Sequence, residues 1–200
     1  MAMNRSLIIE RKFDFASRAE NLEDGADKLI IEGYALKFNS PTVLFEENGI
    51  QYKETILPEA LENCKMADVI FNYNHQGKVL ARTRNSTLEL LPDSEGLFIR
   101  ARLDGTAEGR QMYEEISKGY IDKMSFAFTI AEEAFNKDER MWTIRRIKRI
   151  YDVSAVDFPA YEDTWVEARK AAILEAEAQE KRQAAEAALA RRKLQLKLKF

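Results

Sequence analysis

ADVIFNYNHQGKVLARTRNSTLELLPDSEGLFIRARL, Ala67 to Leu103, decides how the chain is read. Four strand-sized runs, ADVIFNYN, KVLARTR, STLELL and GLFIRARL, are separated by NHQG, RNS and PDSEG. Short runs rich in apolar and β-branched residues, punctuated by Gly, Pro, Asn, Asp and Ser, are the pattern of antiparallel strands joined by tight turns. The spacing predicts a β-meander.

Working outward, SLIIERKFDF and KLIIEGYALKF are two earlier candidate strands, with the polar ASRAENLEDGAD as a turn-forming segment between them. NSPTVLFEENGIQYKETI reads as a loop ending in a short strand, and Pro58 suits the first turn of a short helix. Downstream, Thr106 is placed to cap a helix over AEGRQMYEEISK, with Glu108 in its first turn and Gly119 just past its end. Met112, Tyr113 and Ile116 would form its buried stripe. KMSFAFTIAEEAF and MWTIRRIKRIYDVSAV then read as long strands joined through NKDER. The fold class expected is α+β, with mostly antiparallel strands.

From about Glu162 the chain turns rich in Ala, Glu, Lys and Arg, which favours helix. The expected organisation is a body over 1–165 and a charged, Ala-rich helical tail over 166–200. Between Glu175 and Ala188 no large apolar residue occurs, so a leucine-type coiled coil is not expected. Val166 to Phe200 carries nine Lys/Arg and five Glu, a charge of +4, which leaves −7 on the rest of a chain of net charge −3. An acidic body does not attract nucleic acid by bulk charge. The basic run RRIKR, Arg145 to Arg149, reads as the solvated face of a strand.

In 200 residues, 46% of them hydrophobic, there is material for one sizeable core. No apolar run approaches the ~20 residues of a membrane span, and the opening MAMNRSLIIERKFDF carries charges where a signal peptide is apolar. A soluble, intracellular protein is expected. One cysteine, Cys64, and one histidine, His75, allow neither an internal disulfide nor a Cys/His zinc site, and no cofactor is expected.

Those scarce residues narrow the chemistry. Pleating of KMSFAFTIA puts Met124, Phe126, Phe128 and Ile130 on one face, and Ser125, Ala127, Thr129 and Ala131 on the other. The bulky set should be core, and the small face leaves room beside Ser125. A serine becomes a nucleophile when a neighbour takes its proton; histidine is the side-chain type suited to take it near neutral pH, and His75 is the one histidine of the chain. A third group would orient the imidazole. Asp152, on the same side of its strand as Ser154, is favoured because an acid within an apolar strand needs a partner, with Asp157, Asp104 and Asp122 as alternatives. Cys64 with His75 is a second candidate pair. Taken singly, a histidine at a strand end is more often a turn residue, and a strand serine is usually just hydrogen-bonded.

Five ordered motifs together resemble the tailed-phage prohead serine protease family: IEGYALKFNSPT, ETILPEAL, the stretch quoted first, KGYIDKMSFAFTI and DVSAVDFPAYEDTWVEAR. The resemblance spans roughly Ser6 to Arg169. It implies that His75 and Ser125 are the catalytic base and nucleophile, with Asp152 as third member. It implies an endopeptidase that cleaves scaffold and major capsid proteins, and itself, inside the procapsid in the host cytoplasm. The family is in turn similar to herpesvirus maturation proteases, which implies a β-barrel core surrounded by helices and a homodimer. Those enzymes use a second histidine as third member, which this chain lacks. Their arginine pair near the oxyanion is not carried over to Arg145 and Arg146, which precede the third member here. The alternative is a non-catalytic assembly module that binds capsid or scaffold through the body and tail.

Overall fold

A computed structural model of the chain describes residues 6–11, 16–21, 27–157, 173, 182–183 and 185–188, with side chains from residue 28 onward. Two compact units divide the chain, Met1–Ala160 and Tyr161–Phe200. In the second, residues 173, 182–183 and 185–188 are helical. The rest of the expected tail helix, and the period-two end, lie outside the described residues.

Among its described residues the first unit contains eleven strands. They are β1 (Ser6–Arg11), β2 (Ala16–Asn21), β3 (Asp27–Lys37), β4 (Thr42–Glu47), β5 (Ile50–Ile56), β6 (Ile70–Tyr73), β7 (Gln76–Arg82), β8 (Leu88–Pro92), β9 (Gly96–Arg102), β10 (Lys123–Asn136) and β11 (Met141–Val156). Seven of the nine ladders are antiparallel, as expected, and β11 supplies both parallel ones, to β5 and β6.

The strands predicted between Ala67 and Leu103 form, but they do not make one meander. β6 and β7 belong to a seven-stranded sheet with β1, β10, β11, β5 and β4, whereas β8 and β9 join β2 and β3 in a four-stranded sheet. The chain changes sheet through a 3₁₀ turn, Thr83–Asn85, followed by Ser86 in the left-handed region at φ 59°. Thr87 braces this switch, its hydroxyl accepting from the Arg82 N–H at 2.8 Å. The barrel implied by the resemblance is therefore not closed among the described residues, because consecutive strands part into two sheets that no ladder joins.

The helical surround is also absent among the described residues of the first unit. One α-helix, α1 (Ala107–Ser117), and two 3₁₀ turns occur there. Three connections are too short to hold a helix: β4 to β5 turns through Asn48–Gly49, β6 to β7 through Asn74–His75, and β8 to β9 through residues 93–95. Two strands were not expected. β2 lies in the polar segment read as a turn, and β4 pairs with β5 where a loop was read.

Helix α1 forms as its caps dictate. The Thr106 hydroxyl accepts from the Gly109 N–H, and Gly119 sits past the end at φ +75°. Gly109, Met112 and Ile116 are buried, while Tyr113 is half-buried rather than in the stripe. A Cβ on Gly109 would stand 2.4 Å from the Leu103 carbonyl oxygen, so only glycine lets the helix start this close to the strand before it.

One core serves both sheets: β3 packs on β10, and β7 on β8 and β9. Ile31, Leu36, Phe71, Ile99, Met124, Phe126 and Phe128 are wholly buried in it. Each such side chain contributes about 1.5–3 kcal/mol of hydrophobic stabilisation. The bulky face predicted for β10 is real, with Phe126 and Phe128 stacked at 4.7 Å.

Candidate active site

The site is assembled on β11. Its last turnless stretch is flanked on one side by β10, antiparallel, and on the other by β6, parallel. Register sets Ser125 opposite Ser154, and Ser154 opposite Asn72. Neighbouring strands lie about 4.8 Å apart, so these three short polar side chains form a row across three strands on one face. Asp152 precedes Ser154 by two residues and shares that face.

His75 arrives from a different device. Asn74 and His75 are the two central residues of the β6–β7 hairpin, closed by the pair Tyr73 and Gln76, with φ of 49° and 56°. Both positive values are what a two-residue type I′ turn requires, and Asn suits the first. Non-glycine residues in this region cost about 1–2 kcal/mol each, so the surroundings must hold them there. The end of β11 does so: the Asn74 N–H donates to the Ala155 carbonyl at 2.9 Å, and the Asp157 N–H to Asn74 Oδ1 at 3.3 Å.

The imidazole bridges β10 and β11. His75 Nε2 lies 2.8 Å from Ser125 Oγ, and Nδ1 lies 2.6 Å from Asp152 Oδ1. Ser125, predicted beside open space, is instead fully buried, while the side chains of His75 and Asp152 keep 10% and 14% of their surface. Chemically, the arrangement can move a proton from Ser125 to Nε2 while a carboxylate takes the Nδ1 proton as a hydrogen bond.

The other candidates are engaged elsewhere. Asp157 accepts from the Tyr73 phenol at 2.9 Å, and that phenol is pushed above its usual range by burial first and by this hydrogen bond second. Asp104 pairs with Arg102 at 3.3 Å, and Asp122 is exposed in the turn before β10. Burial pushes the Cys64 thiol up to about 11, which keeps it protonated and non-nucleophilic at neutral pH. Arg146 pairs with Glu132, eight residues before Ser154, and at ~3.3 Å per strand residue that is about 26 Å from the row. Among the described residues no group of three or more His, Cys, Asp or Glu is placed to hold a metal.

Sequence reasoning brought out His75, Ser125 and Asp152, which the fold brings together. It gave no role to Asn72 or Ser154. The signal was present, since both are polar positions in runs otherwise read as buried strands.

A groove of about 500 Å³ opens beside the hairpin turn, between β7 and α1. Leu80 and Met112 line it with Gln76, Glu108 and Glu115, and an ion pair from Lys78 to Glu108 ties the two elements.

Residues 14–179 match the model of the Caudovirus prohead serine protease family. The chain belongs to that family. It is a phage capsid-maturation protease, and a serine protease by class. The fold of this prohead protease is similar to that of the bacteriophage T4 capsid assembly protease, gp21, with a TM-score of 0.54 and 15% identity. That match covers 79% of this chain and 100% of the other. No curated protein matches the prohead protease in sequence. Among its described residues no helix is long and apolar enough to cross a membrane.

Proposed function

We propose that Ser125 is the nucleophile of this prohead protease, His75 its general base and Asp152 the group that orients the base. The observation that carries the reading is the continuous pair of contacts, 2.8 Å and 2.6 Å, from Ser125 through His75 to Asp152. Ser125 Oγ adds to a peptide carbonyl carbon as Nε2 takes its proton. The C–N bond then breaks as Nε2 returns that proton to the leaving amine. Water, deprotonated by the same nitrogen, cleaves the acyl ester and restores Ser125. Oriented backbone N–H groups stabilise the oxyanion, each contributing about 3–4 kcal/mol.

The substrates are scaffold and major capsid proteins, cut inside the assembling procapsid in the host cytoplasm, and the enzyme also cuts itself. Family membership supports this reading, and the likeness to herpesvirus maturation proteases supports a homodimer. The body carries the protease and residues 166–200 a helical tail. The rival reading of a non-catalytic assembly module has only that tail in its favour.

Substrate enters as an extended segment, since main-chain bonding gives affinity independent of side chains. Both edges of β10 are already paired beside Ser125, by β1 at Glu10 and by β11 at Ser154. The segment therefore lies in the groove along β7, next to the hairpin turn that carries His75.

A fluorophosphonate probe tests the assignment. The wild-type enzyme should be labelled and should cleave a scaffold protein, and Ser125→Ala should lose both while keeping its circular dichroism. Labelling or cleavage by folded Ser125→Ala overturns it.

A further inference from the structure

We infer that Ser154 and Asn72 are positioning residues, a buried relay that fixes the Asp152 carboxylate and, through it, the tautomer and orientation of the His75 ring. The inference rests on the catalytic roles just proposed for His75 and Asp152.

Burial raises the question. Ser154 is 0% exposed and Asn72 4%, in a sheet whose neighbouring positions Phe71 and Val153 are wholly apolar. A buried polar group without a partner costs about 1–3 kcal/mol, so each must be bonded to something. What they bond to is the site. Ser154 Oγ lies 2.8 Å from Asp152 Oδ1 and 3.1 Å from His75 Nδ1, and it touches the side-chain amide of Asn72.

Counting protons orders the network. Asp152 as a carboxylate can only accept, and the proton on His75 Nδ1 points to its Oδ1. Ser154 has one proton. Unless it goes to Asp152 Oδ1, two bare oxygens face each other at 2.8 Å. Ser154 therefore donates to Asp152 Oδ1, and the Asn72 amide, whose Oδ1 is the atom placed against Ser154 Oγ, must be turned over so that an Nδ2 hydrogen is donated to Ser154. The two ends of an amide have the same shape, and only the hydrogen bonds around it choose between them.

The chain of donors then runs one way, from Asn72 to Ser154 to Asp152, with His75 donating from the other side. Oδ1 holds two hydrogen bonds from fixed directions and the carboxylate cannot rotate. Nδ1 keeps the proton, and the lone pair of Nε2 faces Ser125. Asn72 has no contact with His75 or Ser125 in this scheme and acts only through Ser154.

The bland alternative is that Ser154 is a satisfied core serine whose loss only lowers stability. The single histidine separates the two, because ¹⁵N-histidine labelling of the full chain gives the NMR signals of one imidazole ring. The wild-type protein should show Nδ1 protonated and Nε2 bare. Ser154→Ala should mix the two tautomers and lower kcat about tenfold, with KM within about twofold. Asn72→Ala should move both readouts the same way by less. The double variant should be no worse than Ser154→Ala alone, since one residue acts through the other. Ser154→Thr, which keeps the hydroxyl, should restore the tautomer, and Ser154→Cys, a weak donor of similar size, replaces the alanine variant if that does not fold.

An unchanged imidazole spectrum in folded Ser154→Ala or Ser154→Cys overturns the inference, whatever happens to kcat. So does additivity of the two single changes. The spectrum needs no substrate, so a failure here is distinct from a failure of the serine protease assignment, which the Ser125→Ala labelling decides.

Discussion

Two adjacent rows cross the same three strands of the large sheet. Ser125, Ser154 and Asn72 form one; Phe126, Val153 and Phe71, each one residue along, form the other on the opposite face. Both rows are buried: the apolar three are all 0% exposed, and the polar three no more than 4%. Equal burial thus conceals opposite physics. The apolar row is held by what it removes from water, and it tolerates no cavity. The polar row is tolerable only because every member has a directed partner, and that requirement is also what makes it able to do chemistry.

If this contrast holds, changes in the polar row should alter rate, and changes in the apolar row should alter stability. The largest effect is expected from Asp152→Asn. An amide beside Nδ1 favours the wrong tautomer, and kcat/KM for scaffold cleavage should fall about 10²–10⁴-fold while the melting temperature stays close to wild type. Normal turnover would transfer the third role away from Asp152 and erase the functional side of the contrast.

Next comes Phe126→Ala, which leaves a hole beside Phe128, on which its ring is stacked. Urea unfolding should register a loss of about 3–5 kcal/mol, with the turnover of the remaining folded enzyme altered far less than its population. A loss below about 1 kcal/mol would mean that this row is not packed as core.

The smallest effect is expected further along the same ribbon, on its exposed face. Arg146 and Glu132 meet there at 3.5 Å with 56% and 49% of their side chains exposed. Arg146→Ala should change stability by no more than about 0.5 kcal/mol and leave cleavage unchanged. A larger change in rate would give the basic run a role that its distance from the row argues against.

Much of this was legible in the sequence where the cause is local. Thr106 and Gly119 bracket α1 because capping is decided within a turn of the helix end. Alternation in KMSFAFTIA separated the core face from the serine face because the pleat has a period of two. Asn48–Gly49 carried an equally local signal for the β4–β5 hairpin, with φ of 52° and 74°, and was read as loop because its flanking strands are only weakly apolar. β2 had no such signal. Its residues are polar, and it is a strand because β3 offers it an edge. The motifs that resemble a prohead protease pointed to His75, Ser125 and Asp152, which the fold brings together, yet implied a closed barrel and a surround of helices that the described residues do not form.

By itself, then, the sequence determined the reagents. One histidine could be the base, it sat in the turn NHQG, and one strand offered a serine on its small face. What only the tertiary structure decided is their meeting. Asn72 and Ser154 are separated by 82 residues of chain, and a slip of one residue in either ladder would turn the polar row to the other face and put phenylalanine against His75. Register depends on the packing of the whole sheet and on the twist and bulges between Ala127 and Glu133, none of which any short stretch of sequence contains.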